Sequence, residues 1–180
     1  MNLTRILIQI ILGTLLLSCI PTKSTSVLYS DDYSKEKDLT SVMIFPYGQI
    51  KIPGKWTKTS YNSSSRQYFF SNADSVTFAV ALNPWDKYEF YKQGMTPNNF
   101  VKAYYDWDAN YWQQQTKGQL RILRENSDKN YITWNLTKEP NINSYFLFGL
   151  KNKIAFNLYV TSNKWDESRK VELLEKIYNE

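Results

Sequence analysis

Histidine is absent from this sequence and cysteine occurs once, which excludes much of the usual catalytic chemistry. Without histidine there is no Ser-His-Asp triad, no histidine general base and no zinc site with histidine ligands. A single cysteine forms no disulfide within the chain, and the six glycines form no glycine-rich phosphate loop. Any catalysis would therefore depend on carboxylates, lysine, tyrosine or serine. We expect a protein that is not an enzyme and that needs no cofactor and no metal ion.

Long apolar runs are also scarce: one lies at the N terminus and ends at Cys19, the only cysteine. Met1–Arg5 carries one positive charge, and Ile6–Leu17 is almost wholly apolar. An apolar run of roughly 12 residues is too short for a membrane-spanning helix, which needs about 20. Its length and flanks suit a secretory signal. We therefore expect residues 1–18 to be a signal peptide.

The residues Leu16-Leu17-Ser18-Cys19 resemble a bacterial lipobox, with leucine three positions before the cysteine and a small residue directly before it. The resemblance implies cleavage before Cys19, attachment of a diacylglycerol to its thiol, and acylation of the new N terminus with a fatty acid such as palmitate. Two or more acyl chains hold a protein stably on a membrane. The lipobox therefore implies a lipoprotein of the cell envelope. The alternative is an ordinary secretory signal that happens to contain a cysteine.

The basic residues are dispersed rather than clustered. The formal net charge is +5, and lysines and arginines alternate with acids, as in residues 35–38. This pattern is typical of a solvated surface and not of a nucleic-acid-binding stripe. The partners that we expect are therefore the membrane, through the N-terminal lipid, and an envelope protein or polymer.

The segment after the signal, residues 19–41, is rich in serine, threonine, lysine and aspartate and has no sustained apolar period. It predicts a flexible tether, followed by a single folded domain over residues 42–180. Ile20 is not the aspartate that retains lipoproteins at the inner membrane of enteric bacteria, and no acidic run follows Cys19 directly. These two features favour the outer membrane, on its periplasmic face.

Within the domain, the patterns follow the order strands, helix, four strands, helix. Thr96 and Pro97 predict the start of the first helix, with threonine as N-cap and proline at the first helical position. Tyr131–Thr137 alternates apolar with polar residues, which is typical of a strand with one buried face. Trp165–Tyr178 carries a helical apolar stripe. The fold class is therefore α+β, an antiparallel β-sheet with helices packed against it.

The first helix carries two stripes of side chains. Aromatic residues at the 4-3-4 spacing of one face are expected in the core: Phe100, Tyr104, Trp107 and Tyr111. A second stripe lies beside it and is either half exposed toward a partner or part of one wide face packed on the sheet: Tyr105, Asp108 and Trp112.

The segment Ile50–Trp56, which reads Ile-Lys-Ile-Pro-Gly-Lys-Trp, resembles the opening of PsbP-like domains, in which a P-x-x-W turn starts the first hairpin. The aromatic helix, the strand meander and a terminal helix with Trp165 near its start also fit that fold. The resemblance covers residues 42–180 and implies a PsbP-like domain. As a group, such domains bind and assemble rather than catalyse, so the resemblance implies no catalytic residue.

Aromatic residues are abundant, with 6 Trp, 14 Tyr and 9 Phe, and most of them must lie in the core. The connection before the first helix is different, because it interleaves aromatic with charged residues. Its candidate partner-binding residues are Trp85, Tyr88, Phe90 and Tyr91. Such a mixture places flat rings beside hydrogen-bonding groups, as in sites for peptides or sugars. The alternative is that the connection folds back and caps the sheet or adds an edge strand.

Together these observations predict a lipid-anchored, non-catalytic envelope lipoprotein that binds a protein partner or a polymer in the periplasm. One alternative is a carboxylate-based hydrolase of envelope glycans, which requires two facing carboxyl groups in a cleft, roughly 5–10 Å apart. Another is a periplasmic immunity lipoprotein that neutralises a toxin. No residue pattern separates this last function from the first.

Overall fold

A computed structural model describes residues 26–180 of the chain. Within that range the elements are β1 (Leu28–Ser34), β2 (Leu39–Phe45), β3 (Gly48–Pro53), β4 (Thr57–Asn62), β5 (Gln67–Ser71), β6 (Thr77–Pro84), α1 (Pro97–Thr116), β7 (Gln119–Asn126), β8 (Tyr131–Lys138), β9 (Ile142–Lys151), β10 (Ile154–Thr161) and α2 (Glu167–Asn179). All neighbouring strands are antiparallel. They form a three-stranded sheet, in the order β1-β2-β3, and a seven-stranded sheet, in the order β4-β5-β6-β10-β9-β8-β7. The predicted α+β fold, an antiparallel sheet with helices packed against it, is confirmed.

The seven-stranded sheet is covered on both faces. Successive residues of a strand point to opposite sides of a sheet. Phe146 and Phe148 of β9 pack with α1 on one side. Tyr145 and Leu147 of the same strand lie on the other side, in a core that also includes α2 and the three-stranded sheet. The two helices therefore lie on opposite faces of the sheet.

The covering of both faces corrects the prediction that Tyr131–Thr137 has one buried face. Thr133 and Asn135, which alternation places toward solvent, are both buried. The prediction is wrong because a second layer covers this side of the sheet as well. Asn135 lies directly across from Tyr145 of β9.

The predicted tether is folded from Leu28 onwards. β1 pairs along its whole length with β2. Tyr29 of β1 also stacks on Tyr68 of β5, with ring centroids 4.2 Å apart. The flexible tether predicted over residues 19–41 is therefore wrong for residues 28–41, because backbone pairing and one aromatic stack hold this polar segment on the domain.

The predicted signal peptide at residues 1–18, the lipobox and Cys19 lie outside the described residues, and so do residues 20–25 of the predicted tether. In the part of the chain that the structure describes, no helix combines the length and the apolar character needed to cross a membrane. The lipid anchor therefore stays a prediction.

Local chemistry sets both ends of α1. The Thr96 side chain accepts a hydrogen bond from the Asn99 amide, and Pro97 is the first helical residue, as predicted. At the other end, the Lys117 backbone is left-handed, with φ of 56°. Gly118 then allows a close approach to β8, because a Cβ there would lie 2.7 Å from the side chain of Leu136. These ends place α1 over β7, β8 and β9.

Candidate functional site

A large cleft opens beside α1 on the face of the seven-stranded sheet that this helix covers. Because α1 packs over β7, β8 and β9, side chains of β5 and β10 on the same face stay partly accessible. The cleft has a volume of about 1100 Å³, above the roughly 300–1,000 Å³ of pockets for drug-sized ligands. Its walls are α1 and the turn at residues 62–66, and its floor is the sheet together with the Tyr88 and Tyr104 side chains. It can therefore accommodate a ligand larger than a single small metabolite.

The helix wall of the cleft is aromatic. Trp107 and Tyr111, which the sequence predicts to be in the core, line the cleft and keep 42% and 54% of their surface exposed. The core prediction is therefore wrong for these two residues, whereas Phe100 and Tyr104 are buried as expected. The difference arises because the stripe lies at the border between the part of the sheet that α1 covers and the part that it leaves open.

The second stripe of α1 is divided in the same way. Tyr105 packs edge-on against Trp134 of β8, with ring centroids 5.6 Å apart. Asp108 and Trp112 line the cleft. The stripe is therefore neither wholly packed on the sheet nor wholly open to a partner. Its N-terminal end packs on the sheet, and its C-terminal end faces the cleft.

A chain of neutral polar side chains crosses the floor of the cleft. The Gln67 amide donates to the side-chain oxygen of Asn157 at 3.3 Å, and the Asn157 amide donates to the Tyr104 hydroxyl at 3.1 Å. The Tyr88 and Tyr104 hydroxyl oxygens are 3.1 Å apart. These two phenols share one hydrogen bond, which uses only one of their two hydroxyl protons. The other proton can be donated to a ligand.

The floor is uncharged at neutral pH, because side-chain amides do not titrate and a phenol ordinarily has a pKa near 10. Burial raises the pKa of the Tyr88 hydroxyl further and that of the Tyr104 hydroxyl more strongly. Both phenols are therefore protonated at neutral pH and can each donate and accept hydrogen bonds. Together with side-chain amides, they suit a ligand with uncharged donors and acceptors.

Asp108 adds a carboxyl group to the helix wall. Burial raises the pKa of this group from 3.8 to about 7, and a hydrogen bond with the Trp112 side chain opposes the rise. Near neutral pH the group is therefore divided between its acid and carboxylate forms, which is uncommon for aspartate. It can donate or accept a hydrogen bond in the cleft, depending on the pH.

The charged side chains along the cleft are of both signs. Four charged residues line it: Arg66, Lys87, Glu89 and Asp108. The Arg66 guanidinium donates to the Asn83 side chain at 3.5 Å, and Glu89 accepts a hydrogen bond from the Trp107 indole. No group of three or more carboxylates or cysteines that could hold a metal ion occurs among residues 26–180. The cleft thus lacks the excess of one charge that would select an ionic ligand.

The four aromatic residues predicted to bind a partner have two different roles. Trp85 and Phe90 pack on Phe100 of α1, with ring centroids 5.8 and 5.3 Å apart. Tyr91 packs on Trp85 at 5.1 Å, while Tyr88 lines the cleft. The connection folds back over α1, so three of its rings serve packing and one contributes a hydroxyl to the site. Partner binding at these four residues stays a prediction.

Sequence reasoning missed the amides of the floor. Gln67, Asn83 and Asn157 come from β5, β6 and β10, which are far apart in the chain and adjacent in the sheet. The sequence contains one signal for these residues, which is an amide between two apolar residues: Asn157 lies between Phe156 and Leu158. Such an amide is expected to face solvent, and the pattern cannot show that several of them converge.

No protein-family model matches the sequence, and no curated protein matches it either. Among solved structures, the chain is similar to the solution structure of cyanobacterial PsbP (CyanoP) from Synechocystis sp. PCC 6803. The two share 11% sequence identity, and the similarity covers 91% of this chain and 96% of that chain at a TM-score of 0.42. The functional proposal therefore depends on the cleft and its side chains.

Proposed function

We propose that this protein is a non-catalytic lipoprotein of the cell envelope, anchored through Cys19, whose cleft binds a protein partner or a polymer in the periplasm. The observation that carries the proposal is the open cleft beside α1, with its aromatic wall and its floor of neutral hydrogen-bonding groups. Ligand sites typically combine an apolar surface with a few convergent polar groups. The lipobox supports the anchor, and the outer membrane, on its periplasmic face, is the location that we propose.

Occupation of the cleft can be measured with one introduced cysteine, because Cys19 is the only natural one and its thiol would be acylated. Ser65 is exposed at the rim of the cleft. We expect Ser65→Cys to react with a maleimide more slowly in intact cells than in the purified protein, because a bound ligand covers it. The measurement is the rate of labelling, followed by mass spectrometry.

Ser30→Cys is the matched control, since Ser30 is exposed on β1, outside the cleft. The labelling rate of this control corrects for how readily the maleimide reaches the protein in the cell envelope. If the ratio of the two labelling rates is the same in cells and in solution, the cleft is empty in the cell and the proposed function is wrong.

The anchor has a separate test. We expect Cys19→Ser to give an unlipidated protein whose folded domain is intact, because no disulfide is lost. Metabolic labelling with a fatty-acid analogue should mark the natural protein and not the variant. The variant should also leave the detergent phase in phase partitioning, since each buried methylene of an acyl chain contributes about 0.8 kcal/mol to membrane binding. Equal labelling of both proteins would contradict lipidation at Cys19.

A hydrolase of envelope glycans is a second candidate, because two carboxyl groups line the same cleft in unlike environments. Asp108 has a pKa raised by burial, whereas Glu89 is exposed and bonded to the Trp107 indole. Glycosidases use two carboxyl groups that flank the scissile bond, one of them as the general acid. Release of soluble fragments from purified cell-wall glycan by the natural protein, but not by Asp108→Asn, would support this candidate. No release by the natural protein would remove it.

A further inference from the structure

The exposed aromatic rings of α1 form a platform along one wall of the cleft. Trp107 and Tyr111 are four residues apart on the helix, so they lie on one side with an axial separation of about 6 Å. Both rings are more than 40% exposed. Large exposed aromatic surfaces in a concave site generally mark a contact with a ligand.

The Trp107 ring is held in place without being buried. Its indole N–H donates to Glu89, and its ring lies 5.7 Å from that of Phe90. These two contacts fix the orientation of the ring, and the part of the ring that they do not cover stays exposed in the cleft. A flat ring fixed in this way can stack on a flat, weakly polar surface at little cost in side-chain entropy.

Opposite this platform, the floor offers neutral hydrogen-bonding groups. Gln67, Asn157, Tyr104 and Tyr88 form one connected chain, so their positions are fixed before any ligand binds. Amides and phenols each act as donor and acceptor. Hydroxyl groups also donate and accept hydrogen bonds, so they are the ligand groups that complement this floor.

We propose that the cleft binds a neutral glycan chain, with sugar rings stacked on Trp107 and Tyr111 and with sugar hydroxyls hydrogen-bonded to the amides and phenols of the floor. This proposal rests on the proposed function, because it names the ligand of the same cleft. A sugar ring has an apolar C–H face that fits an aromatic ring, whose face carries partial negative charge, and a rim of hydroxyls. The axial separation of the two residues along the helix is comparable to the length of one sugar unit.

The other ligand classes fit the cleft less well. Nucleic acid requires an excess of positive charge, whereas two basic and two acidic residues line this cleft. A peptide bound as an added strand requires a free strand edge, whereas β5, β6 and β10, which line this cleft, are interior strands of the sheet. A lipid chain would cover the remaining donors and acceptors of the floor without pairing them, which is costly.

The test uses the full chain, purified in detergent, and hexasaccharides as probes. One probe is a β-1,4-linked chain of N-acetylglucosamine and the other is the matching chain of glucose, so the pair distinguishes an acetamido glycan from a plain one. Trp107 and Trp112 both line the cleft, so tryptophan fluorescence and isothermal titration calorimetry report binding. We expect binding of at least one probe, with Trp107→Ala weakening it about tenfold or more and Trp107→Phe, which retains a ring, weakening it less.

Tyr61→Ala is the control for loss of an exposed aromatic ring. Tyr61 is 47% exposed on β4, and its ring packs on Tyr68, on the other face of the sheet. We expect unchanged probe affinity for this variant. Thermal unfolding of all variants identifies any that fail to fold, and Tyr111→Ala gives a second measure of the platform.

Three results would overturn the proposal. The first is the absence of binding to both probes at concentrations of about 1 mM, and the second is binding that Trp107→Ala and Tyr111→Ala leave unchanged. The third is binding of unstructured peptides, but of neither glycan, in a way that depends on Trp107. If Ser65→Cys is nevertheless protected in cells, the cleft binds another ligand and the proposed function stands. If it is not protected, both proposals are wrong.

Discussion

Gly149→Ala is expected to destabilise the fold by about 3 kcal/mol or more, because overpacking of a core typically costs 1–3 kcal/mol and here the ring in the way is held firmly. A Cβ at residue 149 would lie 2.3 Å from Cε2 of Tyr178, a fully buried residue. The Tyr178 hydroxyl lies within 3.2 Å of the carbonyl oxygens of Lys129, Asn130 and Leu150, which resists movement of the ring. Urea unfolding followed by circular dichroism measures the change.

A double variant provides the control for this prediction. Tyr178→Ala alone should cost about 3–5 kcal/mol, because it leaves a cavity in the core. Gly149→Ala combined with Tyr178→Ala should be about as stable as Tyr178→Ala alone, since the added methyl group then enters empty space. If the two effects simply add, the substitutions act independently and the proposed clash is not the cause.

Asp108→Asn is expected to stabilise the protein above pH 7 and to have no effect below about pH 4. Burial raises the pKa of this carboxyl from 3.8 to about 7 in the fold. Between these values the folded state binds more protons than the unfolded state, so the stability of the natural protein falls as the pH rises. Each pH unit corresponds to about 1.4 kcal/mol, so the full cost above pH 7 is roughly 4 kcal/mol. Asparagine does not ionise and avoids this cost.

The measurement is the free energy of unfolding between pH 4 and pH 8 for both proteins. Asp106→Asn is the matched control, because Asp106 is exposed on the same helix and does not line the cleft. We expect the pH profile of this control to follow that of the natural protein. A difference between Asp108→Asn and the natural protein that is constant from pH 4 to pH 8 would contradict a buried carboxyl at residue 108.

The start of α1 could be predicted because its causes are local. The Thr96 side chain accepts a hydrogen bond from the Asn99 amide, and Pro97 has no N–H that needs a partner, whatever the rest of the chain does. The exposure of Trp107 and Tyr111 could not be predicted in this way, since it depends on how much of the sheet the helix covers. The same limit applies to β1, which has no sustained apolar pattern and is held in place by pairing with β2.

The candidate site was predictable only in part for a related reason. The connection at residues 85–91 was identified by its mixed composition, and Tyr88 does line the cleft. The hydrogen-bonded chain joins Gln67 to Asn157, which are 90 positions apart in the sequence. Strand order brings these amides together, because β6 pairs with both β5 and β10. A pattern read along one strand contains no information about such a pairing.

The early start of β1 limits how far the domain can stand from a membrane. If Cys19 carries the lipid, about nine residues connect it to Leu28, and a fully extended chain of that length spans roughly 30 Å. The tether predicted from the sequence alone, more than twice as long, would have allowed the domain to reach well into the surrounding compartment. With the shorter span, the domain encounters only molecules close to the bilayer surface, where its local concentration is high. A ligand of the cleft would then have to come within a few nanometres of the bilayer that holds the anchor.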